Sequence, residues 1–330
     1  MKVLNIGSMN LDYVYSVDHI IQPGETEATG GMNIILGGKG INQSIALAKA
    51  GVEVYHGGLL GEDGQPFLDA CQEYGVHSQY IRKIEGRTGH TIIQIDKNAQ
   101  NCILLFGGAN QMLTENYVDE VLKDFEAGDL LLLQNEVNML PYIVDQAYAK
   151  GMQIALNPSP FNEKLKEVDM KKISIFLLNE VEGGQITGGL TNPDEVLAKM
   201  QEMFPHAKIV LTLGKDGAMY AEGNQKFYQP IFPVKAIDTT AAGDTFTGYF
   251  LAGMIEGMPI PETLKMSAKA SSIAVTRQGA VPSIPYKEEV VHALGQARLY
   301  KWIGTSQSSF SRITTHFPAE TKTSAITVVI

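Results

Sequence analysis

A lone acid, Asp244, follows a run of small residues and precedes an apolar stretch in AIDTTAAGDTFTGYFLAG, residues 236–253. The segment predicts a strand that ends at Asp238, a turn, and then a helix. Ala241, Ala242 and Gly243 leave the backbone N–H groups at the start of this helix unobstructed. Such N–H groups and the helix dipole bind phosphate oxygens. Asp244 is therefore either an acid that compensates the dipole or a carboxylate that acts beside a phosphate, and the segment alone leaves both open.

A second segment near the N-terminus pairs GSMNLD with LGGKGINQ, residues 7–12 and 36–43. The glycines at 37, 38 and 40 let the backbone approach a ligand, and Asn42 lies where the helix NQSIALAKA is predicted to begin. Taken alone, the segment is a turn followed by an N-cap. It contains neither GxxxxGK[ST] nor GxGxxG, which makes a dinucleotide-dependent dehydrogenase a weak alternative.

Strand and helix patterns alternate along most of the chain. KVLNIG, VEVYHGGL, LLLLQ, QIALN and KIVLTLG are predicted strands, whereas GQPFLDACQEYG, MLPYIVDQAYAKG and NPDEVLAKMQEMF are predicted helices, the last capped by Asn192 with Pro193 at its first position. This alternation predicts an α/β fold, a doubly wound and mainly parallel sheet covered on both faces.

Two segments break the alternation and predict a small antiparallel sheet set apart from the main one. TGHTIIQIDKNAQNCILLFGG contains two strands around the turn DKNAQ, and YVYSV with EATGGMNII supplies further extended segments. Alternation places Ile93 and Ile95 on the face opposite Ile92 and Gln94, so both faces carry apolar groups. Such a sheet needs cover from a ligand or a partner chain.

The composition favours small-molecule chemistry. The 330 residues carry a net charge of -10, which argues against nucleic acid and anionic membranes as partners. Cys71 and Cys102 form no metal-ligand spacing, and no apolar run approaches the roughly 20 residues of a membrane helix. With no signal-peptide pattern at the start, we expect a cytoplasmic protein. We assign no function to the Ser/Thr-rich tail, 301–330.

The pair GGKGINQ and DTTAAGDTFTG resembles the two signatures of the ribokinase-like carbohydrate kinases, also called the phosphofructokinase B family. GEDG, LLLQNE, NPSP, LLNEVE, TLGKDG and AVTRQGAVPSIP follow the family order. The resemblance covers nearly the whole chain. It implies a ribokinase-like kinase domain over residues 1–300, with a β lid drawn from about 12–37 and 88–106 and only the tail, 301–330, outside.

The resemblance implies an ATP-dependent kinase for a small furanose, with D-ribose at its 5-hydroxyl as the favoured substrate. Asp244 would be the base, and the N–H groups of Ala241–Gly243 would stabilise the transferring phosphoryl group. A kinase for another sugar or a ribonucleoside is the alternative on the same fold. A non-catalytic sugar sensor is the alternative of another class, and the intact Asp244 and glycine signature argue against it.

The resemblance also implies three sets of ligand contacts. The sugar would contact Asn10, Asp12, Gly38, Lys39, Gly40, Asn42, Glu136 and Asp244. The nucleotide phosphates and Mg²⁺ would lie near Asn179 and Glu182, through water, and the nucleotide near Thr212, Gly214, Gly217 and Gly243. A monovalent cation, with K⁺ favoured, would be enclosed by Asp238, Thr240, Ala274, Arg277, Gly279 and Ser283.

Two positions depart from the family pattern, and the lid implies a partner. His90 in the lid hairpin and Asn135 before Glu136 stand where more apolar residues are usual, so either residue is a candidate for altered sugar preference; an exposed strand position is the alternative for His90. One lid face would close over the sugar, and a second copy of the chain would cover the other in a homodimer. Which face points inward stays open, so Ile93 and Ile103 must be compared with Ile92 and Leu104.

Overall fold

Short aliphatic runs form the strands, and the computed structural model describes them within residues 1–98 and 100–295. The predicted tail, 301–330, lies outside the described residues. The strands are β1 Val3–Ile6, β2 Asn10–Ser16, β3 Gly31–Gly37, β4 Val54–Leu60, β5 His77–Lys83, β6 Gly89–Ile95, β7 Asn101–Phe106, β8 Leu130–Gln134, β9 Gln153–Asn157, β10 Ile175–Asn179, β11 Lys208–Thr212, β12 Ala218–Glu222 and β13 Gln225–Gln229.

The main sheet has the order β13-β12-β11-β10-β9-β8-β1-β4-β5. Its pairings from β5 to β11 are parallel, and β12 and β13 add an antiparallel edge. Alternate residues of β8 enter different cores: Leu131 and Leu133 pack on one face, Leu130 and Leu132 on the other. The prediction of a doubly wound, mainly parallel sheet is confirmed.

Helices cover both faces of this sheet. They are α1 Lys39–Lys49, α2 Gln65–Tyr74, α3 Glu115–Leu122, α4 Leu140–Ala149, α5 Glu180–Ile186, α6 Pro193–Met203, α7 Ala242–Ile255, α8 Ile260–Ala274 and α9 Lys287–Ala293. Asn192 caps α6 through the N–H groups of Asp194 and Glu195, as its sequence predicts. Within residues 1–98 and 100–295, the helices are too short or too polar to cross a membrane.

Helices α1 and α7 pack with their backbones in close contact. A Cβ on Gly248 would lie 2.4 Å from Ala46 Cβ and 2.9 Å from the Ala46 carbonyl carbon. Two small residues therefore bring the two helices together, and the N-termini of both helices lie at the site described below.

The predicted lid is a separate sheet of order β3-β2-β6-β7, called the lid sheet below. Its central pair, β2 and β6, runs parallel, whereas its two outer pairings are antiparallel. Thr91 Oγ1 donates to Asp12 Oδ1 at 2.6 Å, which places these two residues on one face. By alternation and register, Ile93 and Ile103 share that face, and Ile92 and Leu104 lie on the other.

Candidate active site

Asp244 lies in the first turn of α7, where two side chains of α1 reach it. Asn42 Nδ2 donates to Asp244 Oδ2 at 3.0 Å, and Gln43 Nε2 donates to Asp244 Oδ1 at 2.8 Å. The prediction of Asn42 as a helix cap is wrong: α1 begins at Lys39, so Asn42 lies within the helix and turns its amide to Asp244. The two glycine-rich signatures therefore meet at one carboxylate.

The N-terminus of α7 is open to a ligand. Ala241 has a φ of 60°, a left-handed conformation that is uncommon for a residue other than glycine. The Ala242 N–H donates to Thr239 O at 3.2 Å, so a ligand there would share or replace this bond. Among the described residues, and apart from the flanking residues and the backbone of α7 itself, no atom lies within 4 Å of the position that a Cβ on Gly243 would take. This free space beside unshielded backbone fits an anion.

Glu136 joins the end of β8 to the start of α1. Its Oε2 accepts the Lys39 N–H at 3.0 Å and the Ser8 hydroxyl, and Ser8 Oγ in turn accepts the Gly40 N–H at 3.2 Å. A Cβ on Gly40 would lie 2.3 Å from Ser8 N, so only glycine fits there. Gly38 has a φ of 100°, which also requires glycine. Burial raises the pKa of Glu136 against the opposing charge of Lys39.

Asp12 projects from the lid sheet toward the same place. Burial raises the pKa of Asp12 to about 6; the hydrogen bond from Thr91 opposes this shift, and the charge of Glu136 adds to it. A Cβ on Gly37 would lie 2.0 Å from Asp12 Oδ2, so this glycine makes room for the carboxylate. Near pH 6, therefore, about half of the protein molecules carry a proton on the Asp12 carboxyl group.

Lys39 is the cation among these acids. Burial lowers the pKa of Lys39, but Asp244, Glu136 and Glu182 together outweigh burial and raise it. The ammonium group is therefore charged at neutral pH. An ammonium surrounded by carboxylates suits a site that handles a phosphate.

Asn10 is held by a side chain of the loop after β7. Asn110 Nδ2 donates to Asn10 Oδ1 at 2.8 Å, and Asn110 Oδ1 accepts the Met9 N–H at 3.0 Å. With its oxygen occupied, Asn10 has its amide N–H groups available as donors. The predicted sugar-contacting residues therefore lie in two adjoining groups. One group is at the base of the lid sheet, and the other is at the start of α1.

Asn179 and Glu182 form a capping box at α5. Asn179 Oδ1 accepts the Glu182 N–H at 2.9 Å, and Glu182 Oε2 accepts the Asn179 N–H at 3.0 Å. One oxygen of the Glu182 carboxylate lies outside this box. A metal held through water fits this arrangement better than direct ligation does, and within the described residues no group of three or more His, Cys, Asp or Glu is arranged to hold a metal directly.

The predicted nucleotide loop follows β11. Thr212 ends that strand, and Gly214 and Gly217 have φ values of 54° and 98°. A Cβ on Gly217 would lie 2.2 Å from Gln229 O. The backbone fold of this loop therefore accounts for both glycines without a ligand.

The predicted cation residues lie on two loops that Asp238 joins. Asp238 Oδ1 accepts the N–H and hydroxyl of Thr240 at 2.9 and 2.6 Å, and Asp238 Oδ2 accepts the Gly279 N–H at 2.9 Å. These bonds outweigh burial and lower the pKa of Asp238. The prediction that a strand ends at Asp238 is wrong: β13 ends at Gln229, because Pro230 and Pro233 cannot donate to a ladder.

The other predicted cation residues have protein partners within this region. The Ala274 carbonyl accepts the Arg277 N–H at 3.0 Å, and Ser283 Oγ donates to Ala280 O at 2.7 Å. Arg277 forms an ion pair with Glu289. Carbonyl and carboxylate oxygens are ligands for hard cations, and the Ala274, Ala280 and Asp238 oxygens each already accept a protein hydrogen bond.

The two departures from the family pattern, His90 and Asn135, have partners within the protein. His90 packs between Tyr13 and Phe106, with ring centroids 5.9 and 4.9 Å away, on the lid face opposite Asp12. Asn135 Nδ2 donates to Pro160 O at 2.6 Å. The hypothesis that His90 faces the sugar is not supported by this placement.

Five functional side chains were not predicted individually. Ser8, Gln43 and Gln134 stand within the quoted motifs, and a polar residue where a buried strand ends is a usable signal for Ser8 and Gln134. Thr91 and Asn110 carry no such signal, because their roles depend on pairings between distant segments.

Comparison with known proteins places the chain in a family. The family model described as pfkB family carbohydrate kinase matches residues 1–287. The chain is 33% identical over 301 residues to the ribokinase of Haemophilus influenzae, covering 88% of this chain and 98% of that protein. It is 28% identical over 300 residues to the deoxyribokinase of Salmonella typhi, covering 88% and 97%. The structure of Arabidopsis thaliana ribokinase complexed with ribose and ATP matches with a TM-score of 0.80 and 28% identity, covering 89% and 98%. The chain therefore belongs to the pfkB family of carbohydrate kinases and has the ribokinase-like fold.

Proposed function

We propose that the protein transfers the γ-phosphoryl group of ATP to the 5-hydroxyl of D-ribose. The contact between α1 and α7 at Asp244 supports this most directly, because it joins the proposed base to the sugar-binding segment. The relatives described as ribokinases, and the similar structure that contains ribose and ATP, support the choice of substrates.

Asp244 accepts the proton of the attacking hydroxyl as the new P–O bond forms and the bond from the γ-phosphorus to the ADP oxygen breaks. Phosphoryl transfer has a loose transition state, so positioning and late proton acceptance suffice for a weak base such as a carboxylate. The backbone N–H groups of Ala241–Gly243 stabilise charge on the transferring oxygens.

The sugar hydroxyls donate to the carboxylates of Asp12 and Glu136, which are acceptors at both oxygens while ionised, and Asn10 and Lys39 donate to the sugar oxygens. Gly38 and Gly40 allow the sugar to approach the backbone closely. Asn42 is the remaining proposed sugar-contacting residue. A substrate without one of these hydroxyls leaves a buried acceptor unpaired, which is the basis of selectivity.

Asn179 and Glu182 would hold Mg²⁺ through water, and its charge would offset that of the nucleotide phosphates. The nucleotide contacts the loop with Thr212, Gly214 and Gly217. The two loops that Asp238 joins would enclose a monovalent cation, K⁺ by preference, and its charge would fix the chain before Ala241.

The lid sheet supports a homodimer, and the cytoplasm is the proposed location. Apolar side chains on the lid face opposite Asp12 are exposed, among them Ile34, Leu104 and Phe106. A second copy of the chain with twofold symmetry would cover them.

Substitution Asp244→Asn tests the assigned base. We expect kcat to fall by about 10² to 10⁴, because a proton acceptor is lost while the shape is kept. Calorimetric binding of ribose and nucleotide should change little. The wild-type protein is assayed with ATP and D-ribose, 2-deoxyribose, fructose or adenosine, and ³¹P NMR identifies the product. A variant with more than about a tenth of the wild-type kcat would remove Asp244 as the base.

A further inference from the structure

A chain of buried carboxamides leads from the backbone of α1 to the proposed base. Asn5 Nδ2 donates to Gly40 O at 2.7 Å, and Gln134 Nε2 donates to Asn5 Oδ1 at 3.2 Å and to Gln43 Oε1 at 2.6 Å. Gln43 Nε2 then donates to Asp244 Oδ1. Asn5, Gln43 and Gln134 are fully buried.

The chemistry of the first acceptor determines the orientation of every later amide. The Gly40 carbonyl can only accept, so Asn5 must turn its nitrogen to it and its oxygen to Gln134. Gln134 must therefore donate, and its nitrogen faces the oxygen of Gln43. This leaves Gln43 one orientation, with its nitrogen toward Asp244.

A second anchor holds Gln43 from the neighbouring strand. Asn157 Nδ2 donates to Leu177 O at 2.7 Å, so Asn157 Oδ1 is an acceptor and receives Gln43 Nε2 at 3.3 Å. Both amide hydrogens of Gln43 are thus assigned, one to Asn157 and one to Asp244. A flipped Gln43 would set its oxygen against two acceptor oxygens.

We propose that Gln43 is a positioning residue that holds Asp244 in its reactive orientation, and that the relay Asn5–Gln134–Gln43 fixes the donor end of Gln43. The proposal rests on the proposed role of Asp244 as base. Gln43 and Asn42 each donate to a different oxygen of Asp244, which fixes the carboxylate plane and leaves lone pairs for the sugar hydroxyl.

The test measures kcat at saturating ribose and ATP across pH for wild type, Gln43→Met and Gln43→Glu. We expect Gln43→Met to lower kcat by about 10- to 100-fold, with the ribose KM changed less than about threefold, because a bond to a charged group is lost. Gln43→Glu places a second carboxylate beside Asp244, so the acid limb of the kcat profile should move up by about one pH unit or more. A purely structural loss would not move that limb.

Two further variants keep the outcome decisive. Ser267→Ala removes a buried hydroxyl that bonds Thr263 O within α8, and it should keep the wild-type kcat. Gln134→Met removes the donor to both Asn5 and Gln43 and leaves the contact of Gln43 with Asp244 in place. It should lower kcat by about three- to tenfold, and it tests the relay if the Gln43 variants do not fold.

Wild-type kcat in Gln43→Met, or an unmoved acid limb in Gln43→Glu, would overturn the positioning role. If Asp244→Asn is inactive at the same time, the proposed function stands, but without a positioning role for Gln43. An active Asp244→Asn would instead overturn the assignment of Asp244 as base, and the positioning role of Gln43 with it.

Discussion

At the scale of single residues, Asp12 links sugar binding to pH. Its pKa is raised to about 6, mainly by burial, so the folded protein holds this proton more tightly than the unfolded chain does. Between pH 3.8 and about 6 this group therefore lowers the free energy of unfolding as pH rises. Above pH 6 the carboxylate is ionised, and both of its oxygens are acceptors for the proposed sugar hydroxyls.

We therefore expect kcat/KM for ribose to fall as pH drops through about 6, since protonation turns one acceptor oxygen of Asp12 into a donor. Asp12→Asn should show low kcat/KM without this limb. Steady-state kinetics from pH 5 to 8 provide the measurement, with kcat as the internal control. A limb that persists in Asp12→Asn would assign it to another group.

The sequence predicts the charged residues of the site better than their neutral partners. Asp12, Glu136 and Asp244 follow from the family resemblance of their motifs, whereas the segment around Asp244 taken alone leaves a dipole-compensating acid open. Thr91 and Asn110 depend on which segments meet across the lid, and no local pattern contains that information.

At the scale of elements, the contact of Gly248 with Ala46 sets the distance between α1 and α7. Gly248→Ala would force the helices apart, since its Cβ would meet Ala46 Cβ at 2.4 Å. We expect a loss of about 1 to 3 kcal/mol in the free energy of unfolding and a fall in kcat of about tenfold or more.

Gly253→Ala is the matched control. It lies in the same helix, and its Cβ would meet Thr263 Cγ2 at 2.7 Å, on the side of α8. This variant should lose stability while keeping kcat. Denaturant melts and kinetics of both variants separate the two effects; equal kcat values would show that the α1–α7 distance does not limit turnover.

Substitutions on the two faces of the lid sheet should have different effects. Leu104→Lys alters the exposed face opposite Asp12 and should convert a homodimer to a monomer. Ile93→Lys alters the face of Asp12 and should weaken ribose binding. Light scattering and ribose titration are run on both variants. A wild-type protein that is monomeric at micromolar concentration and fully active would show that the lid needs no partner.

At the scale of the whole molecule, Asp238 and Gly279 connect segments on either side of α7 and α8. If a cation lies between them, activity at constant ionic strength should be higher in K⁺ than in Na⁺ or Li⁺. Asp238→Asn should abolish the difference, whereas Asp194→Asn, in an exposed ion pair with Lys226, should keep it. Equal rates in the three salts would remove the cation site.

Alternation of strand and helix predicts the main sheet, because periodicity and turn residues are local signals. The order of its strands is not local. Nothing in VLNI indicates that β1 lies between β8 and β4, and nothing in TGHTIIQID shows which face meets the sugar. Asn42 was predicted as a cap because its long-range partner, Asp244, lies 202 residues away.

The position of β1 in the sheet also bears on how the protein is made. Lys2, at the start of β1, bonds Asp129, 127 residues later, so one edge of β1 has no partner strand until β8 has been synthesised. At about 5 to 20 residues per second, that interval is roughly 6 to 25 s. The whole lid sheet leaves the ribosome during this interval, and its apolar faces are then candidates for chaperone binding on the nascent chain.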